Sequence, residues 1–220
     1  RIIPVRVFPG GTQLICQGGT NVSSVIAGVN WVANDHANSK TAVANMSLGA
    51  TRGYSASLDA AVIALQADGV SVVVAAGNEE TYVGGTNYAT PACTEGTISV
   101  GATRRDDQEA EFSNYGDCVN VMAPGYAIKS AWPTVPADPN YPDAGTGVVS
   151  DSSWALLSGT SMAAPFVAGA VARLLEIFPT ASPSEVASKI FATATPGVIT
   201  MVHGVASEGT QSSNLFLYTS

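Results

Sequence analysis

A chain of 220 residues has room for one sizeable α/β domain and too few for two. Hydrophobic residues make up 46% of it and charged residues 12%, with 22 glycines, which excludes disorder and describes tight packing with many turns. The net charge of −8 argues against nucleic acid and anionic membranes as partners, and no apolar run is read as reaching the roughly 18 residues of a spanning helix.

In chain order, Ile2–Phe8 is apolar and β-branched and reads as a strand. The chain opens on it with no initiator Met or leader, so the domain is expected to begin upstream. Val25, Val29 and Val32 recur at helical spacing and predict a helix over about 22–34. Residues 42–48 read as a buried strand. Leu58, Ala61, Val62 and Leu65 predict a second helix, stopped by Gly69 just past its C-cap. The near-continuous apolar run 70–76 suits a central parallel strand covered on both faces. Residues 97–101 and 119–123 read as two more strands, and 126–154, rich in Pro, Asp and Gly, as a surface excursion. A helix over 161–178 is crowded with Ala and Gly, and Ser182-Pro183-Ser184-Glu185 announces a last helix through a capping box. This alternation implies an α/β fold of three layers, a mainly parallel central sheet flanked by helices on both faces.

Ligands in such sheets sit at the carboxyl ends of the strands, and three motifs fall there. Ser158-Gly159-Thr160-Ser161-Met162-Ala163-Ala164-Pro165 puts a hydroxyl at the mouth of a helix. Taken alone, Ser161 is a helix-capping serine; it is not a G-x-S-x-G elbow, because Ala163 stands at the second Gly. Asn78 ends Val72–Gly77 and Gly49 ends the run through Ser47 and Leu48. With Phe112-Ser113-Asn114-Tyr115-Gly116, these residues resemble the subtilisin-like serine peptidases, and within them the proteinase K-like branch.

The resemblance covers nearly the whole chain, and it implies roles. Ser161 would be the nucleophile, and Asn78 would hold the oxyanion beside the Ser161 N–H. Ser47, Leu48 and Gly49 would form a substrate-pairing edge and one wall of the S1 pocket. Ala75, Ala76 and Gly77 would form the other wall, with Thr160 beside the nucleophile. Gly18 and Gly19 would carry the opposite edge. Ala50 stands where the family has a second Gly. Glu79, at the rim, is either an attraction for basic P1 side chains or a solvated acid.

A Ser hydroxyl needs a base, and the base needs an orienting group. Of the two histidines, His36 follows a surface helix and His203 lies in the tail; both read as exposed and structural. No Asp here lies in an Asp-Thr/Ser-Gly context. In the family the order is Asp, His, Ser. Residues 1–220 are therefore expected to be the C-terminal two-thirds of a single catalytic domain, nearly inert alone, with His and Asp on an N-terminal segment of the same precursor. Two rivals stand beside this reading: a subtilase-fold binding module without catalysis, and one chain of a two-chain enzyme. The expected partners are protein or peptide substrates and a propeptide or inhibitor, with no nucleic acid and no membrane, in a secreted setting.

Three Cys leave one without a partner. The resemblance implies a Cys93–Cys118 disulfide and a partner for Cys16 in the N-terminal segment. No cofactor is required. Structural calcium would draw on carbonyls after Ala89-Thr90-Pro91-Ala92 and on position 120, where Asn120 replaces a family Asp. Of the two glycosylation sequons, Asn21-Val22-Ser23 is expected to be usable and Asn45-Met46-Ser47 buried.

Overall fold

The computed structural model describes residues 1–8, 19–36, 41–49, 54–131, 154–203 and 212–218. The first helix, α1 (Val22–His36), starts at Asn21, whose Oδ1 accepts the Ser24 N–H at 2.8 Å and so satisfies one orphan donor of the first turn. Strand β1 (Ala42–Met46) follows, then α2 (Ala56–Ala67), capped by the Ser55 hydroxyl and ended by Gly69 at φ +96°. Strands β2 (Val70–Ala75), β3 (Ile98–Thr103) and β4 (Val121–Pro124) come next. A hairpin of β5 (Ile128–Ala131) and β6 (Trp154–Leu157) leads into the long α3 (Thr160–Ile177). The chain closes with α4 (Pro183–Thr193) and the two-residue strands β7 (Thr195–Pro196) and β8 (Leu215–Phe216).

The sheet runs β1-β2-β3-β4-β8-β7, parallel from β1 to β8, with only the β7–β8 pair antiparallel. The pleat of β2 sorts its side chains between two cores. Val70, Val72 and Val74 join the helices α1 and α2, while Val73 and Ala75 join α3 and α4. Helices therefore cover both faces, as the alternation of elements implies. Every residue of β2 and β3 is buried, which is why β2 reads as a near-continuous apolar run.

Four expectations are corrected. Residues 2–8 form no strand among the described residues: apolar, β-branched character gives no ladder without a strand alongside. The segment lies against α1 instead, with Val7 pressed on Gly28 and Ile2 95% exposed. Strand β1 is an edge strand, so Asn45 of the second sequon is exposed. The excursion 126–154 is paired at its ends through β5 and β6; residues 132–153 lie outside the described part. Helix α3 is 18 residues long with mean hydropathy 1.3, enough by length and composition to span a membrane. Its Val, Leu, Ile and Phe residues supply most of that score, and its inner face packs across β1, β2, β3 and β4.

Candidate active site

Ser161 is the second residue of α3, where free backbone N–H groups and the positive end of the helix dipole gather. Pro165 lies one turn on and has no N–H to give the Ser161 carbonyl. The Ser47 hydroxyl takes that place, donating to the Ser161 carbonyl at 2.8 Å. The contact is reciprocal, since the Ser161 Oγ donates to the Ser47 carbonyl at 3.3 Å. The end of β1 and the start of α3 are thereby joined at the hydroxyl.

Asn78 sits just past β2 and is fixed from the same helix. Its Oδ1 accepts from the Thr160 N–H at 2.8 Å and the Thr160 hydroxyl at 3.0 Å. A backbone N–H cannot donate to an amide nitrogen, so the bond identifies which atom is the oxygen. The Nδ2 group stays available as a donor above the Gly159–Ser161 turn, 3.5 Å from where a Cβ on Gly159 would lie. The Thr160 Oγ1 also accepts the Gly77 N–H at 3.1 Å, tying the turn to the helix mouth.

One cavity of about 160 Å³ brings most of the expected residues together. Leu48 and Gly49 line one side and Ala75, Ala76 and Gly77 another; Asn78, Glu79, Thr160 and Ser161 complete the reacting end. It is smaller than the roughly 300 Å³ at which a pocket takes a drug-sized molecule whole, and it suits one side chain of a longer ligand. Tyr88 also lines it. Burial, reinforced by the Asp59 carboxylate, raises the Tyr88 phenol above its ordinary 10.0, so it remains a hydroxyl donor at neutral pH. Glu79 is exposed, and its Oε2 accepts the Asn78 N–H at 3.0 Å and the Asn114 amide at 2.7 Å.

Gly19 lies apart, on a second cavity of about 580 Å³ between residues 5–8 and α1. Gly18, Cys16 and Ala50 fall outside the described residues. Cys93 and Cys118 are bonded, with their Cα atoms 4.9 Å apart.

Neither histidine is exposed, which corrects that expectation. The His36 side chain is 10% exposed and holds Asp68 at 2.9 Å, where α1 and α2 end. The His203 side chain is 13% exposed. It lies 3.4 Å from Glu80 and 3.5 Å from Glu109, and it stacks on Tyr115. Carboxylates hold both rings. Among the described residues the Ser161 hydroxyl meets a backbone carbonyl, not an imidazole.

The Asn120 Oδ1 already accepts the Ser99 N–H at 2.8 Å, and no cluster of three His, Cys, Asp or Glu suits a metal among the described residues. Sequence reasoning missed the bonding of Thr160 and of Asn114, because their partners lie 33 to 83 residues away and leave no local pattern.

Residues 2–214 match the model of the subtilase family. The extracellular serine proteinase of Thermus sp. (strain Rt41A) is 44% identical over 98% of this chain and 44% of its own length. The alkaline serine exoprotease A of Vibrio alginolyticus is 41% identical over 89% of this chain and 32% of its own. The crystal structure of a cold adapted subtilisin-like serine proteinase superposes with a TM-score of 0.75 at 34% identity, covering 94% of this chain and 64% of that one. The chain spans less than half the length of these curated relatives. The α/β architecture, the helix mouth at Ser161 and these matches agree: the chain belongs to the subtilase family.

Proposed function

We propose that this chain is the nucleophile-bearing part of a secreted, proteinase K-like serine endopeptidase. The observation that carries the reading is the Thr160–Asn78 bond, which turns the Asn78 Nδ2 toward the helix turn bearing Ser161. The Ser161 oxygen attacks the peptide carbonyl carbon. The carbonyl oxygen takes the negative charge and is held by the Asn78 amide and the Ser161 N–H. The hydroxyl proton passes to the base and from it to the amine that collapse expels, and water then cleaves the acyl-enzyme ester.

The base and its orienting Asp come from an N-terminal segment of the same precursor, residues 1–220 being the C-terminal two-thirds of one catalytic domain. The greater length of the relatives supports this. Alone, the chain keeps only the oxyanion contribution, roughly 10³–10⁴ over water. Substrates are proteins or peptides. Leu48–Gly49 and Ala75–Gly77 flank the P1 side chain, and Ser47 anchors its edge. Secretion fits the disulfide and the extracellular name of the Thermus relative.

The test is fluorophosphonate labelling of the complete processed protein. Covalent label on Ser161, absent from Ser161→Ala, is the expected result; an unlabelled complete protein would sink the reading.

A further inference from the structure

The turn that carries Asn78 is shaped by a residue that touches neither Ser161 nor Asn78. Asn114 is 4% exposed, and all its side-chain polar atoms are engaged with residues 76–81. Its Oδ1 accepts the N–H groups of Glu79 and Thr81, each at 3.0 Å. Its Nδ2 donates to the Ala76 carbonyl at 2.9 Å and to the Glu79 Oε2 at 2.7 Å. The Asn114 N–H donates to the Gly77 carbonyl at 3.0 Å.

Gly77 makes this approach possible. It stands at φ +108°, and a Cβ there would collide with the Asn114 amide. Asn114 is anchored in turn. The buried Ser113 hydroxyl accepts the Ala102 N–H of β3 at 3.1 Å and donates to the Asn114 carbonyl at 3.0 Å. The line of support runs from β3 through Ser113 and Asn114 to the turn, and from the turn to Asn78.

We infer that Asn114 is a positioning residue for the oxyanion donor, acting through Asn78. This rests on the peptidase reading above. Fixing a donor before charge develops is what gives such a donor its effect, so loosening the turn lowers turnover.

A double-mutant cycle on the complete processed protein tests this, reading peptide hydrolysis and the labelling rate at Ser161. Asn114→Ala is expected to lower kcat about ten-fold or more. In an Asn78→Ala background the same change is expected to cost less than about two-fold, because its route of action is already gone. Equal losses in both backgrounds would overturn the inference. Asn114→Asp, which keeps both acceptor bonds, is read by the same criterion where the alanine variant does not accumulate. A crystal structure of the Asn114 variant decides independently of activity: displacement of the Asn78 amide from Thr160 supports the inference, and an unmoved Asn78 overturns it. An unlabelled parent protein would count against the peptidase reading and leave this structural arm standing.

Discussion

One short stretch, residues 109–114, supports two neighbouring regions by opposite means. At its far end Asn114 holds the turn 76–81 with an amide whose donors and acceptor are all matched. At its near end Glu109, fully buried, holds the chain at 202–203. Its Oε2 accepts the Val202 and His203 N–H groups at 3.0 Å each, while its Oε1 and the His203 Nδ1 have no hydrogen-bond partner among the described residues. An amide both gives and accepts, so it can line a bent backbone and leave nothing over. A carboxylate only accepts, so each of its oxygens needs a donor, and at Glu109 one of them has none among the described residues. The turn carrying Asn78 rests on the first arrangement and the C-terminal tail on the second.

Four substitutions bear on that contrast, beginning with the largest effect. Asn78→Ala is expected to lower kcat by about 10²–10³ with little change in KM; steady-state kinetics on the complete protein checks it. Gly77→Ala forces a side chain into a left-handed backbone, which alone costs about 1–3 kcal/mol, and pushes on Asn114. Denaturant unfolding should report the loss, and kcat should fall with it. Glu109→Ala leaves two backbone donors without their acceptor and is expected to cost about 1–3 kcal/mol in the same assay. Its kcat should stay within about two-fold of the parent; a fall like that of Asn78→Ala would mean the two regions are not separate.

The smallest effect belongs to a control outside both regions. The Ser182 N–H, then the Ser182 hydroxyl, hold the Glu185 carboxyl below its ordinary 4.5. A lowered folded value contributes stability above about pH 4.5 and loses it as pH falls through that folded value. Glu185→Ala should therefore be slightly less stable than the parent at neutral pH, and the gap should close in acid unfolding curves.

Much of the fold could be read from local pattern. Strand β2 announces itself because both its faces are covered, and α4 because its Ser182–Glu185 capping box forms as the spacing implies. Strands β7 and β8 could not be read, since two residues carry no periodicity and their pairing spans about twenty positions. Residues 2–8 have the composition of a strand and, among the described residues, no neighbouring strand to pair with. At the site the motifs pointed to Ser161, Asn78 and both cavity walls, which the fold gathers on one cavity. The motifs said nothing of the bonds that orient them. Thr160 and Asn114 act across the fold, and only tertiary structure brings such groups within 3 Å of their partners. His203 read as exposed because the acids that enclose it, Glu80 and Glu109, lie some hundred residues earlier.

The alanines of α3 have a consequence of their own. Ala163 and Ala164, two and three residues after Ser161, are fully buried in the same core as Val73, Val100 and Ala102 of the sheet below. Their methyl groups act as spacers of fixed thickness between the helix and the strands. A larger side chain at either position has no void to fill, and overpacking moves backbone before it compresses neighbours. The height of the Ser161 hydroxyl above the sheet is set by the size of a methyl group, so volume, more than polarity, limits what those two positions tolerate.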